Sequence, residues 1–346
     1  MPQFLRHHGA RRPRETNMTT DRLTMSRRHA LALLGASIAA PHVARAQTPW
    51  PSRSVRYYVG FAAGGATDTL SRIYCQKMSE LTGQQFVVEN RGGAGGVLGA
   101  DAVAKGQPDG YALGMGSIAT NAIAVGTYAK LPYHAGKDFT FISGLWQLPN
   151  VLVVKKDLPV KDLKELIALA KANPGKYSYA SPGIGTTLHL SGEMMKSAAG
   201  IDLQHITYKG GNPAMVDLLA GRVDTLFDNL PGSLQQIKDG AVRALAVTTT
   251  NRSPAIPDVP AMGEVLSGYE LTSWVAVCGP AGMPPDLVAR INELSVKALK
   301  DPALAAKYAE LGAQPFPTSS AEITAYRDKE EARLLPVIKA AGITPS

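Results

Sequence analysis

Val55-Arg56-Tyr57-Tyr58-Val59-Gly60-Phe61-Ala62-Ala63-Gly64-Gly65-Ala66-Thr67-Asp68 decides the reading of the fold. Its first five residues, mostly β-branched and aromatic, form a strand. A glycine turn follows, and Thr67 or Asp68 is then placed to cap a helix. In that helix Leu70, Tyr74, Met78 and Leu81 share one face. The same order returns downstream. Ser178 to Ser181 is a strand, Gly183-Ile184-Gly185-Thr186-Thr187 is the loop, and His189 to Ala199 is the helix.

Between and beyond these units the alternation continues. Strands are predicted over Gln85 to Glu89, Ala112 to Met115, Val151 to Val154, Val223 to Phe227 and Ala244 to Thr248. Asn90-Arg91-Gly92-Gly93-Ala94-Gly95-Gly96 leads into a short helix ending near Gly106. Asp162 to Asn173 is helical and stops at Pro174-Gly175. Asn212-Pro213 reads as a cap followed by proline at the first helical position. Leu287, Ile291, Leu294 and Ala298 line another amphipathic helix. Strand and helix in turn mean an α/β fold with mostly parallel sheets. The apolar strands at 151–154 and 274–278 are candidates for two crossings between domains. They divide the chain into a discontinuous first domain, 47–149 with 270–346, and an inserted second domain, 150–269.

The chain has 346 residues, 45% hydrophobic and 18% charged, a globular composition of about two-domain length. No apolar run reaches the roughly 18–20 residues of a spanning helix, so direct membrane insertion is not expected. The net charge of +8 is concentrated at the start. Residues 1–46 carry eight Arg and two acids, which leaves 28 basic and 26 acidic residues in the rest. With no basic face left, nucleic acid is not an expected partner.

Residues 1–46 read as an export signal that is removed. Ser26-Arg27-Arg28 opens a short apolar stretch, Ala30 to Ala40, and Ala44-Arg45-Ala46 supplies the cleavage site before Gln47. The paired arginines point to the twin-arginine route. Met18 and Met25 are alternative starts. The expected location is the periplasm. In that oxidising compartment Cys75 and Cys278 form either one disulfide or two buried free thiols.

Several chemistries are not supported. Gly183-Ile184-Gly185-Thr186-Thr187-Leu188 has Leu where a dinucleotide fingerprint has its third Gly, and no phosphate-binding P-loop exists. Ser181, His189 and Asp228 assemble into a triad only on paper, because no G-x-S-x-G elbow is present. His134, His189 and His205 show no metal-ligand spacing. No cofactor and no metal are expected. What the two glycine loops do well is hold an anion. Helix N-termini expose unpaired N–H groups, and glycine lets a ligand approach the backbone. Thr67, Thr186 and Thr187 would add hydroxyl donors. The alternative for either loop alone is an ordinary tight turn before a capped helix.

The chain resembles the periplasmic solute receptors of the tripartite tricarboxylate transporter system, the Bug family. The first loop, Phe61-Ala62-Ala63-Gly64-Gly65-Ala66-Thr67-Asp68, is similar to that family's F-x-x-G-G-x-x-D. Val88-Glu89-Asn90-Arg91-Gly92-Gly93, Pro108-Asp109-Gly110-Tyr111, Pro149-Asn150-Val151-Leu152-Val153-Val154, His189-Leu190-Ser191-Gly192-Glu193, Phe227-Asp228-Asn229 and Pro257-Asp258-Val259-Pro260 continue the match in order.

The resemblance implies a type II periplasmic-binding-protein fold, two α/β domains with a ligand cleft between them. It implies a non-catalytic, monomeric receptor. The receptor would capture a small carboxylated metabolite and deliver it to membrane transporter subunits or to a sensor. The first loop then contributes Phe61, Ala62, Gly65, Thr67 and Asp68 to ligand binding. The second contributes Ser181, Gly185, Thr186 and Thr187. Ser117 and Thr120 lie in the loop after the third strand. Asp228 matches an aspartate that faces the ligand and contacts a ligand amine or an ordered water. Departures are Ala62-Ala63 in place of the common Pro-Pro, Ala66 in place of a third Gly, and Thr120-Asn121-Ala122-Ile123-Ala124-Val125 in place of a T-H-A-I-N-P-like stretch. The alternatives are a periplasmic enzyme acting on a small organic acid, with His189 or Asp228 as base, and a sensory receptor for such an acid.

Overall fold

The computed structural model describes residues 50–343 and 345. Thr48–Ser346 cluster as one compact unit. Residues 1–46, read above as an export signal, and the alternative starts lie outside the described residues. In chain order the elements are β1 (Val55–Val59), α1 (Ala66–Thr82), β2 (Phe86–Asn90), α2 (Val97–Ala104), β3 (Ala112–Ser117), a π-helical turn Ala119–Ile123 running into α3 (Ala124–Thr127), and β4 (Phe139–Lys155). Then come α4 (Leu163–Ala172), β5 (Ser178–Ser181), α5 (Thr187–Ala199), β6 (Gln204–Thr207), α6 (Gly211–Leu219), β7 (Thr225–Asn229), α7 (Leu230–Lys238) and β8 (Val242–Val247). The chain finishes with β9 (Thr272–Pro280), α8 (Pro285–Leu299), α9 (Pro302–Glu310), β10 (Gln314–Pro315) and α10 (Ser320–Ala340).

The strands follow the order β2-β1-β3-β9-β4-β7-β5-β6, with β8 and β10 also paired to β4. β1, β2 and β3 are parallel, as are β5, β6 and β7. The centre is antiparallel, because β9 pairs with β3 and β4, and β4 pairs with β7 and β8. The sheet is therefore mixed: parallel at its two ends, where helices cross over, and antiparallel where the two long strands meet.

β4 joins the two halves of the sheet. Phe139 to Pro149 pair with β9, and from Asn150 the strand pairs with β7. The sequence shows only its last part as a strand, and the pairing explains why. Leu152 and Val154 point into one core cluster while Val151 and Val153 point into another, so the segment is apolar without alternation. Its first part carries register shifts between Phe141 and Ser143 and between Gly144 and Trp146. Those bulges break the period-2 pattern a strand would otherwise show.

α1 buries Leu70, Tyr74 and Met78 against β1 and α8, as their spacing predicts, with Leu81 only partly covered. Two local readings are corrected, and the open state of the two cysteines is decided. Neither Thr67 nor Asp68 caps α1. Gly65 is the N-cap and supplies no side chain. Asp68, in the first turn, reaches back to accept from Gly64 N–H at 2.8 Å. α6 starts at Gly211 with Gly210 as its cap, so Asn212 and Pro213 fall inside its first turn. Cys75 and Cys278 are free, buried thiols.

Candidate functional site

Four helix starts converge on one cavity of about 230 Å³. Gly65, Ala66 and Thr67 bring the start of α1, and Thr186 to Leu188 that of α5. Gly210 to Pro213 bring α6, while Asn229 and Gly232 bring α7. The first-turn N–H groups of a helix have no intrahelical acceptor. They also carry the positive end of the helix dipole. Among the described residues that line the cavity, Asp228 is the one ionisable side chain. The positive potential here comes from backbone and not from Lys or Arg.

Of the expected site residues, Phe61, Ala62, Gly65, Thr67, Ser117, Thr186, Thr187 and Asp228 line this cavity. The other four stand behind its wall. Asp68 accepts from Gly64 N–H, from Asn90 Nδ2 at 2.9 Å and from Arg72 Nε at 2.9 Å. Burial alone would raise its carboxyl, but these donors outweigh burial and hold it below the ordinary value. Asp68 thus shapes the first loop. Thr120 donates to Asn121 Oδ1 at 2.7 Å and meets Ser117 Oγ at 2.9 Å. Ser181 pairs with His205 Nε2 at 2.7 Å. Gly185, at φ 77°, packs against Thr127 and Tyr128.

The threonine hydroxyls play another part than expected. Thr186 donates to Gly183 O at 2.7 Å and accepts from His189 N, so it closes its own loop and caps α5. Thr187 Oγ1 lies 2.8 Å from Ser273 Oγ, which donates to Asn150 Oδ1 at 2.8 Å. With the Ser273 proton given to Asn150, Thr187 is the donor of the first bond. Neither Thr186 nor Thr187 therefore has a hydroxyl proton left for a ligand.

Sequence reasoning missed the floor of the site and the strand change beside it. Trp146, Leu148, Ser273, Trp274 and Val275 line the cavity from β4 and β9, and Met115 lines it from β3. Asn150, fully buried, sits where β4 changes partners. It donates to Ser191 Oγ at 3.1 Å and accepts from Asn229 Nδ2 at 2.8 Å. The available signal was an aromatic residue in each central strand beside a polar residue in an apolar run.

Asp228 is the penultimate residue of β7 and is held between the starts of α6 and α7. Its Oδ1 accepts from Asn229 N at 2.9 Å and its Oδ2 from Ser233 Oγ at 3.0 Å. A Cβ on Gly211 would stand 2.8 Å from Oδ1, so glycine there makes room for the carboxylate. Burial pushes its pKa up to about 6 against the lowering effect of those two bonds.

The paper triad does not assemble. Ser181 meets His205, and Asp228 bonds Ser233 and Asn229. His205 stacks on Tyr179 with ring centroids 4.6 Å apart and lies 4.6 Å from His189. Burial, then the neighbouring His189 and Lys196, push His205 down to about 3, so it is neutral at ordinary pH. Among the described residues no group of three His, Cys, Asp or Glu side chains is placed to hold a metal ion. No described helix is long and apolar enough to cross a membrane.

Residues 70–343 match the family model described as the tripartite tricarboxylate transporter family receptor. The chain belongs to that receptor family. It is similar to the protein BugT of Bordetella pertussis, at 34% identity over 318 residues, covering 90% of this chain and 97% of BugT. Among solved structures, Rpa4515 of R. palustris with adipate superposes with a TM-score of 0.83 at 36% identity, covering 86% of this receptor and 100% of that chain. MatC of Rhodopseudomonas palustris with bound malate superposes with a TM-score of 0.79 at 31% identity, covering 84% and 100%. The receptor therefore has the periplasmic-binding-protein fold that the resemblance implied.

Proposed function

We propose that this receptor holds the carboxylate of a small metabolite at the convergent helix starts and closes two lobes around it. The lobes are 47–149 with 270–346 and 150–269. The loaded form then presents the acid to a tripartite tricarboxylate-type transporter, from a periplasmic location reached after removal of residues 1–46. The observation that carries the reading is the cavity itself: four helix N-termini face it, and no Lys, Arg or His lines it among the described residues. Backbone N–H groups at helix starts suit an anion without a counter-charged side chain. The lining residues Phe61, Ala62, Gly65, Thr67, Ser117 and Thr187 are proposed to contact the ligand. Thr186 holds their loop in place. The adipate and malate in the related structures, both small organic acids, support this.

The test is native mass spectrometry of freshly purified protein, followed by thermal melts with the identified acid and its amide. At about 100 times the dissociation constant, linkage predicts a gain of roughly 2.7 kcal/mol for the acid. An amide that stabilises as much as the acid would rule the reading out.

A further inference from the structure

We propose that this receptor takes up one proton with each amine-free acid it captures, and that Asp228 holds that proton against the ligand carboxylate. The proposal rests on the carboxylate-receptor reading above and adds the charge balance of the same site. Asp228 lines the cavity and is only 5% exposed. Its Oδ1 accepts one bond from Asn229 N, and its Oδ2 one from Ser233 Oγ. A carboxylate oxygen has two lone pairs, so each keeps one unused. Towards α6 and α7 the group is walled by Gly211 and Gly232, where a Cβ would collide with its oxygens. Neither glycine brings a counter-charge.

The charges on the elements packed around β7 are engaged elsewhere. On α5, Lys196 pairs with Glu193, and His189 lies against His205 with its proton affinity lowered by burial. On β5, Tyr179 donates to the same Glu193. On α6, Asp217 accepts from Tyr208 and Arg222. On β4, Lys155 pairs with Asp224, and Lys238 stands in the last turn of α7, away from Asp228. Across the cavity, Asp68 is tied to Arg72. None of these charges moves the Asp228 titration, which burial pushes up to about 6 against its two hydrogen bonds.

A ligand carboxylate in a cavity of about 230 Å³ comes close to this group. Two carboxylates sharing a site without a cation each raise the proton affinity of the other. The starts of α1 and α5 favour the ionised ligand, so the proton goes to Asp228. The empty site, titrating at about 6, is mostly ionised at pH 7.5, and the proton is drawn from the buffer as the acid enters. The Asp228 O–H then donates to the ligand, and a repulsion becomes a charge-assisted hydrogen bond. An acid with its own ammonium group would bring the cation and need no proton.

Counting protons tests this. The full chain is unfolded in guanidinium to strip endogenous ligand and refolded. It is titrated calorimetrically with adipate, malate, hexanoate and hexanamide at pH 7.5 in HEPES, imidazole and Tris. The slope of observed heat against buffer ionisation heat gives the protons taken up, and about 0.5–1 is expected for each acid that binds. Affinity should fall by up to about tenfold per pH unit between pH 7 and 8.5. Asp228→Asn resembles the protonated group, so it should bind with zero slope and an affinity flat over that range. The wild-type slope decides by itself: a zero slope with acid bound and hexanamide rejected overturns proton capture and leaves the carboxylate receptor standing. A slope that survives in Asp228→Asn overturns the role of Asp228. Hexanamide binding as well as hexanoate, or no binding by any of the three acids, overturns both readings.

Discussion

Tyr128 donates its hydroxyl to the carbonyl oxygen of Ile184 at 3.2 Å, joining the segment after β3 to the loop before α5. The bond ties Tyr128, just after α3, to the second glycine loop. A Cβ on Gly95 would stand only 2.5 Å from the same carbonyl, so the approach is close on both sides. We expect Tyr128→Phe to weaken ligand binding by roughly two- to tenfold, the worth of one net hydrogen bond. Calorimetric titration checks this. An unchanged affinity would show that the contact plays no part in ligand binding.

Gly185 faces the same residue. Its φ is 77°, and a Cβ there would meet Tyr128 at 2.8 Å and the Thr127 hydroxyl at 3.0 Å. Gly185→Val adds both backbone strain and a steric block to this contact. In the folded variant the ligand-induced rise in melting temperature should vanish. Circular dichroism and melts with and without ligand together decide this.

Asp228 makes stability depend on pH. Its folded pKa, about 6, lies above the ordinary 3.8 of a solvated aspartate. Below about pH 3.8 the group is protonated whether the chain is folded or not, and burial costs nothing. As the pH rises through 6 the folded state must hold a buried carboxylate, and about 3 kcal/mol is lost. In ligand-free protein, Asp228→Asn should therefore stabilise at pH 7.5 and change little at pH 4. Melting curves of both proteins across that range test the sign. Equal differences at the two pH values would assign the Asp228 carboxyl no such cost.

Asn150 ties the strand change to the cavity. It serves Ser191, Asn229 and Ser273, and Ser273 in turn accepts from Thr187. Asn150→Ala leaves several buried polar groups without partners, which should cost about 2–4 kcal/mol in denaturant unfolding. Ligand affinity should fall as well, since Thr187 at the start of α5 loses its anchor. A loss of stability with normal affinity would confine Asn150 to the core.

Cys75 and Cys278 are buried free thiols, and burial raises both pKa values. A buried thiol with little thiolate is a poor nucleophile. Ellman's reagent should find no reactive thiol in the native chain and two after unfolding. Reductant should leave the melting temperature unchanged.

Local patterns in the sequence determined β1, α1, β5 and α5, because each is written in a short window. Val55–Val59 and Ser178–Ser181 came out with the same bounds as in the structure. The face of Leu70, Tyr74 and Met78 is buried as its spacing requires. Ordered motifs likewise marked Thr67, Thr187 and Asp228 as residues of one site. Tertiary structure decided the rest. The long strand β4 was hidden because bulges and burial on both faces erase the alternation that identifies a strand. The antiparallel centre depends on which strands meet, and pairing between residues over a hundred positions apart leaves no local trace. The same holds for the floor of the cavity. Trp146 and Trp274 line one site because β4 and β9 pair there, and Gln147 lies opposite Trp274 in that register. The hydroxyls of Thr186 and Thr187 looked like donors for a ligand, and only packing showed that their protons go to Gly183 and Ser273. A side chain's chemistry is local, but its hydrogen-bond partners are set by the fold.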